Sequence, residues 1–177
     1  TPIIYKLTFK LEASDYSLLK SLQMGDNLIP NFDPNQTTYY VNLPVGTTQL
    51  PKITYEKGES TQTVTVQEGG IDGVSKIIVV AGNGISQTEY KIVVATAKSE
   101  ISALNMIYVG GEPLADFSAE KTSYTYTLPI GTTQLPEISV DKGDEYQTVN
   151  ILTGGINGTT RITVTAQNGN STIYQIT

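Results

Sequence analysis

The sequence contains no histidine, no cysteine and no tryptophan, and only three phenylalanines and two methionines. Without histidine or cysteine, neither a Ser-His-Asp nor a Cys-His nucleophilic apparatus can be assembled, and the usual nitrogen and sulfur ligands of zinc are missing. The common hydrolase chemistries are thereby excluded. The lack of cysteine also removes any disulfide frame and leaves the redox compartment open, because an exported bacterial protein can do without disulfides. Charge is sparse and of one prevailing sign: 11 basic residues stand against 17 acidic ones, for a net charge of −6. An acidic chain is repelled by phosphate backbones and anionic lipid headgroups, so no nucleic-acid partner is expected. No apolar run approaches the roughly 20 residues that cross a bilayer, so no membrane insertion of this segment is expected either. The opening Thr1-Pro2-Ile3-Ile4 lacks the charged and apolar regions of a signal peptide. The chain is therefore expected to be a mature or trimmed piece of something longer.

What the sequence does contain is an internal repeat. Sliding it by 85 residues lays FDPNQTTYYVNLPVGTTQLPKITYEKG, from Phe32, onto FSAEKTSYTYTLPIGTTQLPEISVDKG, from Phe117, without a gap. Between residues 32–84 and 117–169, 26 of 53 positions are identical. The same offset sets Tyr5-Lys6-Leu7 on Tyr90-Lys91-Ile92, so residues 1–14 resemble the last strand of a preceding repeat. Residues 15–97 then form a first repeat and residues 98–177 a second, with both ends expected to be cut from a larger array.

Within each copy the periodicity is two, the period of a strand with one buried face. Tyr39, Val41 and Leu43 alternate with Tyr40 and Asn42, and Tyr124, Tyr126 and Leu128 alternate with Thr125 and Thr127. Val64 and Val66 correspond to Val149 and Ile151, and Ile77, Val79 and Ala81 to Ile162, Val164 and Ala166. These sets are expected to face a core. Asn83-Gly84 and Asn168-Gly169 fall between alternating runs, as a hairpin with positive φ at its central residues requires. Short strands about 8 to 12 residues apart, with no helical periodicity, predict an all-β fold of two tandem Ig- or cadherin-like antiparallel β-sandwiches.

The order Leu, Phe, Tyr in TTYYVNLP or TSYTYTLP, then Asn-Gly, then a closing EYKIVV, resembles the bacterial cadherin-like β-sandwich repeat. The matching positions are Leu19, Phe32, Tyr39, Asn83 and Tyr90 in the first copy, and Leu104, Phe117, Tyr124, Asn168 and Tyr174 in the second. The resemblance implies tandem modules of a large secreted or surface-anchored bacterial protein, extracellular or at the cell surface, acting as non-catalytic spacers or adhesion modules. Their partners would be other domains of the same polypeptide. The matched positions are core and turn residues, so the resemblance transfers a fold and almost no chemistry.

Three functional constellations can be weighed. Calcium takes six to eight oxygen ligands, whereas the junction ATAKSEISALN, from Ala95, offers only Glu100 and hydroxyls. The cluster Asp141, Asp144 and Glu145, with partial counterparts in Glu56 and Glu59, reads as a solvated acidic turn around Gly143, and neither metal nor cofactor is expected. Paired carboxylates could in principle hydrolyse glycosides, but no long loop is available to build the walls that raise an acid's pKa. Tyrosine is the remaining resource. Tyr39, Tyr55, Tyr124 and Tyr126 fall in phase with buried aliphatics, and Tyr5, Tyr90 and Tyr174 share one recurrent position, so all are expected in the core. Tyr40, Tyr108 and Tyr146 fall out of phase and face polar counterparts, Thr125, Gln23 and Thr61, in the other copy. This trio is the candidate ligand-binding set of an alternative function, an accessory module that binds a glycan or a surface protein. Finally, residues 3–11 are expected to form a strand on an edge of the first sandwich or of a neighbouring molecule, because a lone strand seeks an edge.

Overall fold

The computed structural model describes residues 2–25, 27–29 and 32–177. The chain divides into two compact units, Thr1–Ala97 and Lys98–Thr177. The first contains β1 (Leu19–Met24), β2 (Asn27–Leu28), β3 (Thr38–Leu43), β4 (Ile53–Lys57), β5 (Thr63–Gln67), β6 (Val74–Val80) and β7 (Gln87–Thr96). The second repeats the series as β8 (Leu104–Val109), β9 (Glu112–Pro113), β10 (Ser123–Tyr124), β11 (Ile138–Lys142), β12 (Thr148–Leu152), β13 (Thr160–Thr165) and β14 (Ser171–Ile176). In the first unit a three-stranded sheet, β2-β1-β4, covers a four-stranded one, β3-β7-β6-β5; in the second the same order reads β9-β8-β11 over β10-β14-β13-β12. Both units are β-sandwiches. Their pairings are antiparallel except for β3 with β7 and β10 with β14, which run parallel.

The alternating runs bury the faces that their period dictates. Tyr39, Ile77, Val79, Tyr90, Ile92 and Val94 from the larger sheet meet Leu19, Leu22, Met24 and Ile53 from the smaller. Leu104, Ile107, Val109, Tyr124, Ile162, Val164 and Tyr174 build the second core in the same way. Each large side chain so enclosed contributes about 1.5–3 kcal/mol relative to exposure. The tyrosines enter with their hydroxyls satisfied. Tyr90 donates to the Pro34 carbonyl (2.7 Å) and accepts from the Leu19 amide (3.2 Å), and Tyr174 does the same with Ala119 and Leu104. Tyr39 closes a corner on Asp33, donating to its carbonyl and accepting from its amide, as Tyr124 does on Ser118. Phe32 stacks on the Tyr39 ring at 5.5 Å between centroids, and Phe117 on Tyr124 at 5.8 Å.

A buried glutamine fastens each copy. The Gln62 side chain donates to the Tyr16 and Leu18 carbonyls and accepts from the Gly58 amide; Gln147 donates to Ile101 and Ala103 and accepts from Gly143. The chain comes so close here that a Cβ at Gly58 would run into the Leu18 carbonyl, and one at Gly143 into that of Ala103.

Four expectations need correction. In the Asn-Gly turns only the glycine takes positive φ, 71° at Gly84 and 96° at Gly169. Asn83 contributes through its side chain instead, whose Oδ1 accepts from the amides of Ile85 and Ser86. Tyr126 is in phase with the core yet 38% exposed, although its amide still donates to the Thr177 carbonyl. Tyr5 does not share the environment of Tyr90 and Tyr174: it is 86% exposed. Residues 2–14, Thr1 lying outside the described residues, form no strand, and residues 3–11 enter no sheet of the first unit. Alternation alone does not make a strand, since the ladder needs a partner to supply its hydrogen bonds.

Candidate functional site

The three out-of-phase tyrosines lie on three different elements, Tyr40 in the first unit and Tyr108 and Tyr146 in the second. Tyr40 lies on β3 with its ring turned away from the core that holds Tyr39, as the two-residue period requires, and is 76% exposed. It pairs with Val93 on the outer face of a sheet where Lys76 and Lys91 flank Glu89 at 3.6 and 3.5 Å. Tyr108 belongs to the other unit, half-buried on β8 opposite Ser139 and Pro113. Tyr146 sits in the turn between β11 and β12, reached from the opposite end of the β8–β11 ladder. The neighbouring Glu145 carboxylate raises its phenol above the usual value. Tyr40→Ala is expected to change stability by less than about 1 kcal/mol, as for a surface substitution that opens no cavity. Chemical denaturation checks this, and a loss as large as that of a core tyrosine would reverse the assignment of faces.

The acidic turn is occupied by its own architecture. Asp144 accepts from the Ser99 hydroxyl and from the Tyr146 amide, and these bonds hold its carboxyl below the ordinary range. In the first copy Glu56 pairs with Lys20 at 3.1 Å. Among the described residues no three acidic side chains converge as a metal would need.

A concavity with a defined lining lies where the alternating pattern pointed to core. A groove of about 510 Å³ in the second unit is lined by Thr125–Leu128, Leu135, Pro136, Ile176 and the Gly155–Gly158 turn. Its counterpart in the first unit is filled by the end of β7. There the Val94 amide donates to the Gly73 carbonyl, the Thr96 amide to Asp72 Oδ1, and the Ala97 amide to the Leu43 carbonyl. Asn157 repeats the left-handed conformation of Asp72, with φ 61° against 56°. Sequence reasoning missed both this groove and the buried glutamines. The signal available for the latter was the identity of Gln62 and Gln147 within otherwise divergent loops, GESTQT and GDEYQT.

Compared with family models, with curated proteins and with solved structures, the chain matches none.

Proposed function

We propose that the chain is a pair of non-catalytic modules, a structural spacer or adhesion element of a larger bacterial secreted or cell-surface protein whose other domains are its immediate partners. The observation that carries this reading is what the two copies keep and what they let vary. They keep the core tyrosines, the buried glutamines and the close-approach glycines: Tyr39 and Tyr124, Gln62 and Gln147, Gly58 and Gly143. They vary at the outward positions, where Tyr40 faces Thr125 in the alignment and Tyr146 faces Thr61. Duplication has preserved a scaffold, whereas a binding face used by both copies would repeat its exposed residues. The placement outside the cell rests on the resemblance to bacterial cadherin-like repeats.

A glycan array and a pull-down on bacterial wall polysaccharide test the proposal. The expected result is no retention, with the native chain and a Tyr40→Ala/Tyr108→Ala/Tyr146→Ala variant behaving alike. Retention of the native chain that the triple variant loses would instead make this an accessory carbohydrate-binding module.

A further inference from the structure

Two hairpins of the chain turn on the same dipeptide: Asn83-Gly84 between β6 and β7, and Asn168-Gly169 between β13 and β14. Asparagine is among the thermolabile residues, and before glycine it holds an electrophile beside a nucleophile. Its side-chain carbonyl carbon, Cγ, lies one ring closure from the next backbone nitrogen, which glycine leaves unshielded for want of a side chain. The two turns share their backbone setting. In each the asparagine amide donates to a serine carbonyl, Asn83 to Ser14 at 2.9 Å and Asn168 to Ser99 at 3.0 Å. The glycine amides donate to alanine carbonyls, Gly84 to Ala81 at 2.9 Å and Gly169 to Ala166 at 3.0 Å. Both glycines take positive φ. A difference in reactivity must therefore come from the asparagine side chains.

Those side chains are held differently. Asn83 is half-buried and its carboxamide is fixed at both ends: Oδ1 accepts from the Ile85 and Ser86 amides, each at 2.9 Å, and Nδ2 donates to Ser86 Oγ at 3.1 Å. The second turn is one residue shorter. Ala81 closes the first by donating to the Ser86 carbonyl, whereas Ala166 closes the second on Asn170, so Asn170 stands in the place of Ser86 and brings no hydroxyl. Asn168 is exposed, and its Oδ1 accepts from the Asn170 amide alone, at 2.9 Å. Among the described residues its Nδ2 has no partner. Turning the carboxamide towards the glycine nitrogen thus breaks one side-chain hydrogen bond at Asn168 and three at Asn83.

We propose that Asn168 is a site of spontaneous deamidation and that Asn83 is its protected counterpart. The Gly169 nitrogen, having lost its proton to hydroxide, bonds to Asn168 Cγ; the Cγ–Nδ2 bond breaks, and ammonia leaves with a proton taken from water. The product is a cyclic succinimide. Water then adds to one of its two carbonyls. Cleavage of the N–Cγ bond gives aspartate, and cleavage between the nitrogen and the main-chain carbonyl carbon gives isoaspartate. Either product adds one negative charge to the net −6. Isoaspartate also puts an extra methylene into the backbone of a turn closed by the Ala166–Asn170 and Gly169–Ala166 bonds, so the modification loosens the β13–β14 hairpin and spares the β6–β7 one. The third Asn-Gly, Asn157-Gly158, has Asp72-Gly73 as its counterpart and offers no such internal comparison.

Peptide mapping by mass spectrometry tests this on the intact chain kept warm at mildly alkaline pH, with isoaspartate labelled by a carboxyl-methylating enzyme. Asn168 is expected to convert at least about tenfold faster than Asn83, the kind of rate difference that misplacing a reacting group produces, and to convert faster as the pH rises. Ser86→Ala, which frees Asn83 Nδ2, should speed conversion at Asn83 and leave Asn168 unchanged. Exchanging Asn168–Asn170 for the four residues Asn83–Ser86 should slow conversion in the second turn. The comparison within the native chain needs no variant, so it stands whether or not either exchange is tolerated. Equal rates at the two sites, faster conversion at Asn83, or an Asn168 that stays intact while the chain's other asparagines convert would each overturn the proposal.

Discussion

Tyr90→Ala is expected to remove about 4–5 kcal/mol from the first unit, most of what a domain of this size possesses. The side chain is fully buried, its ring meets Phe32 at 6.0 Å, and its hydroxyl holds both the Leu19 amide and the Pro34 carbonyl. Truncation therefore opens a cavity and orphans two backbone groups at once. Because the two cores are built from separate sets of residues, amide hydrogen exchange followed residue by residue should show β6 and β7 losing protection while β13 and β14 keep theirs. A loss of under about 1 kcal/mol would mean that the ring is not structural. Tyr90→Phe isolates the hydroxyl and should cost about 2 kcal/mol. The pH dependence has a defined sign. Burial raises the phenols of Tyr90, Tyr174 and Tyr39 above the ordinary value of 10.0. With a folded-state pKa above the unfolded one, their contribution is complete below pH 10 and is lost as the pH climbs through the raised values. Tyr90→Phe should flatten that alkaline decline in the first unit.

Gln62→Leu is expected to cost about 3 kcal/mol, although it keeps the side chain's approximate volume. It leaves the Gly58 amide and the Tyr16 and Leu18 carbonyls without partners in a dry site, and each unpaired buried group costs about 1–3 kcal/mol. Gln62→Glu should be worse still, since a carboxylate would face two carbonyl oxygens. Urea midpoints for the two variants check the order. If Gln62→Leu proves neutral, the glutamine fills space and does not fasten the chain.

The alternating sets were legible because burial on one face of a strand imposes a period of two whatever the partner strand is. Ile77, Val79, Ile162 and Val164 lie in the cores as that period requires. Pairing was not legible, since ladder bonds come from the backbone and leave no mark on side-chain order. Hence the segment from Ile3 to Leu11 carries the pattern of core residues and lies exposed, while the parallel match of β3 with β7 left no trace at all. The buried glutamines were hidden for a different reason: a polar residue in a glycine-rich loop looks solvated until the loop is seen folded over it. As for the candidate tyrosines, the phase argument identified Tyr40 and Tyr146 as accessible but could not gather them with Tyr108 into one place, because proximity across strands and turns depends on register.

The parallel pairing of β3 with β7 also determines how a unit responds to being pulled. Tension along the chain enters the first unit just before Leu19, whose amide rests on the Tyr90 hydroxyl, and leaves beyond Thr96, so it is applied at opposite ends of β7. That strand is gripped lengthwise by β3 on one side and β6 on the other. Because the rungs lie across the direction of pull, they are sheared together and do not open one at a time like a zip.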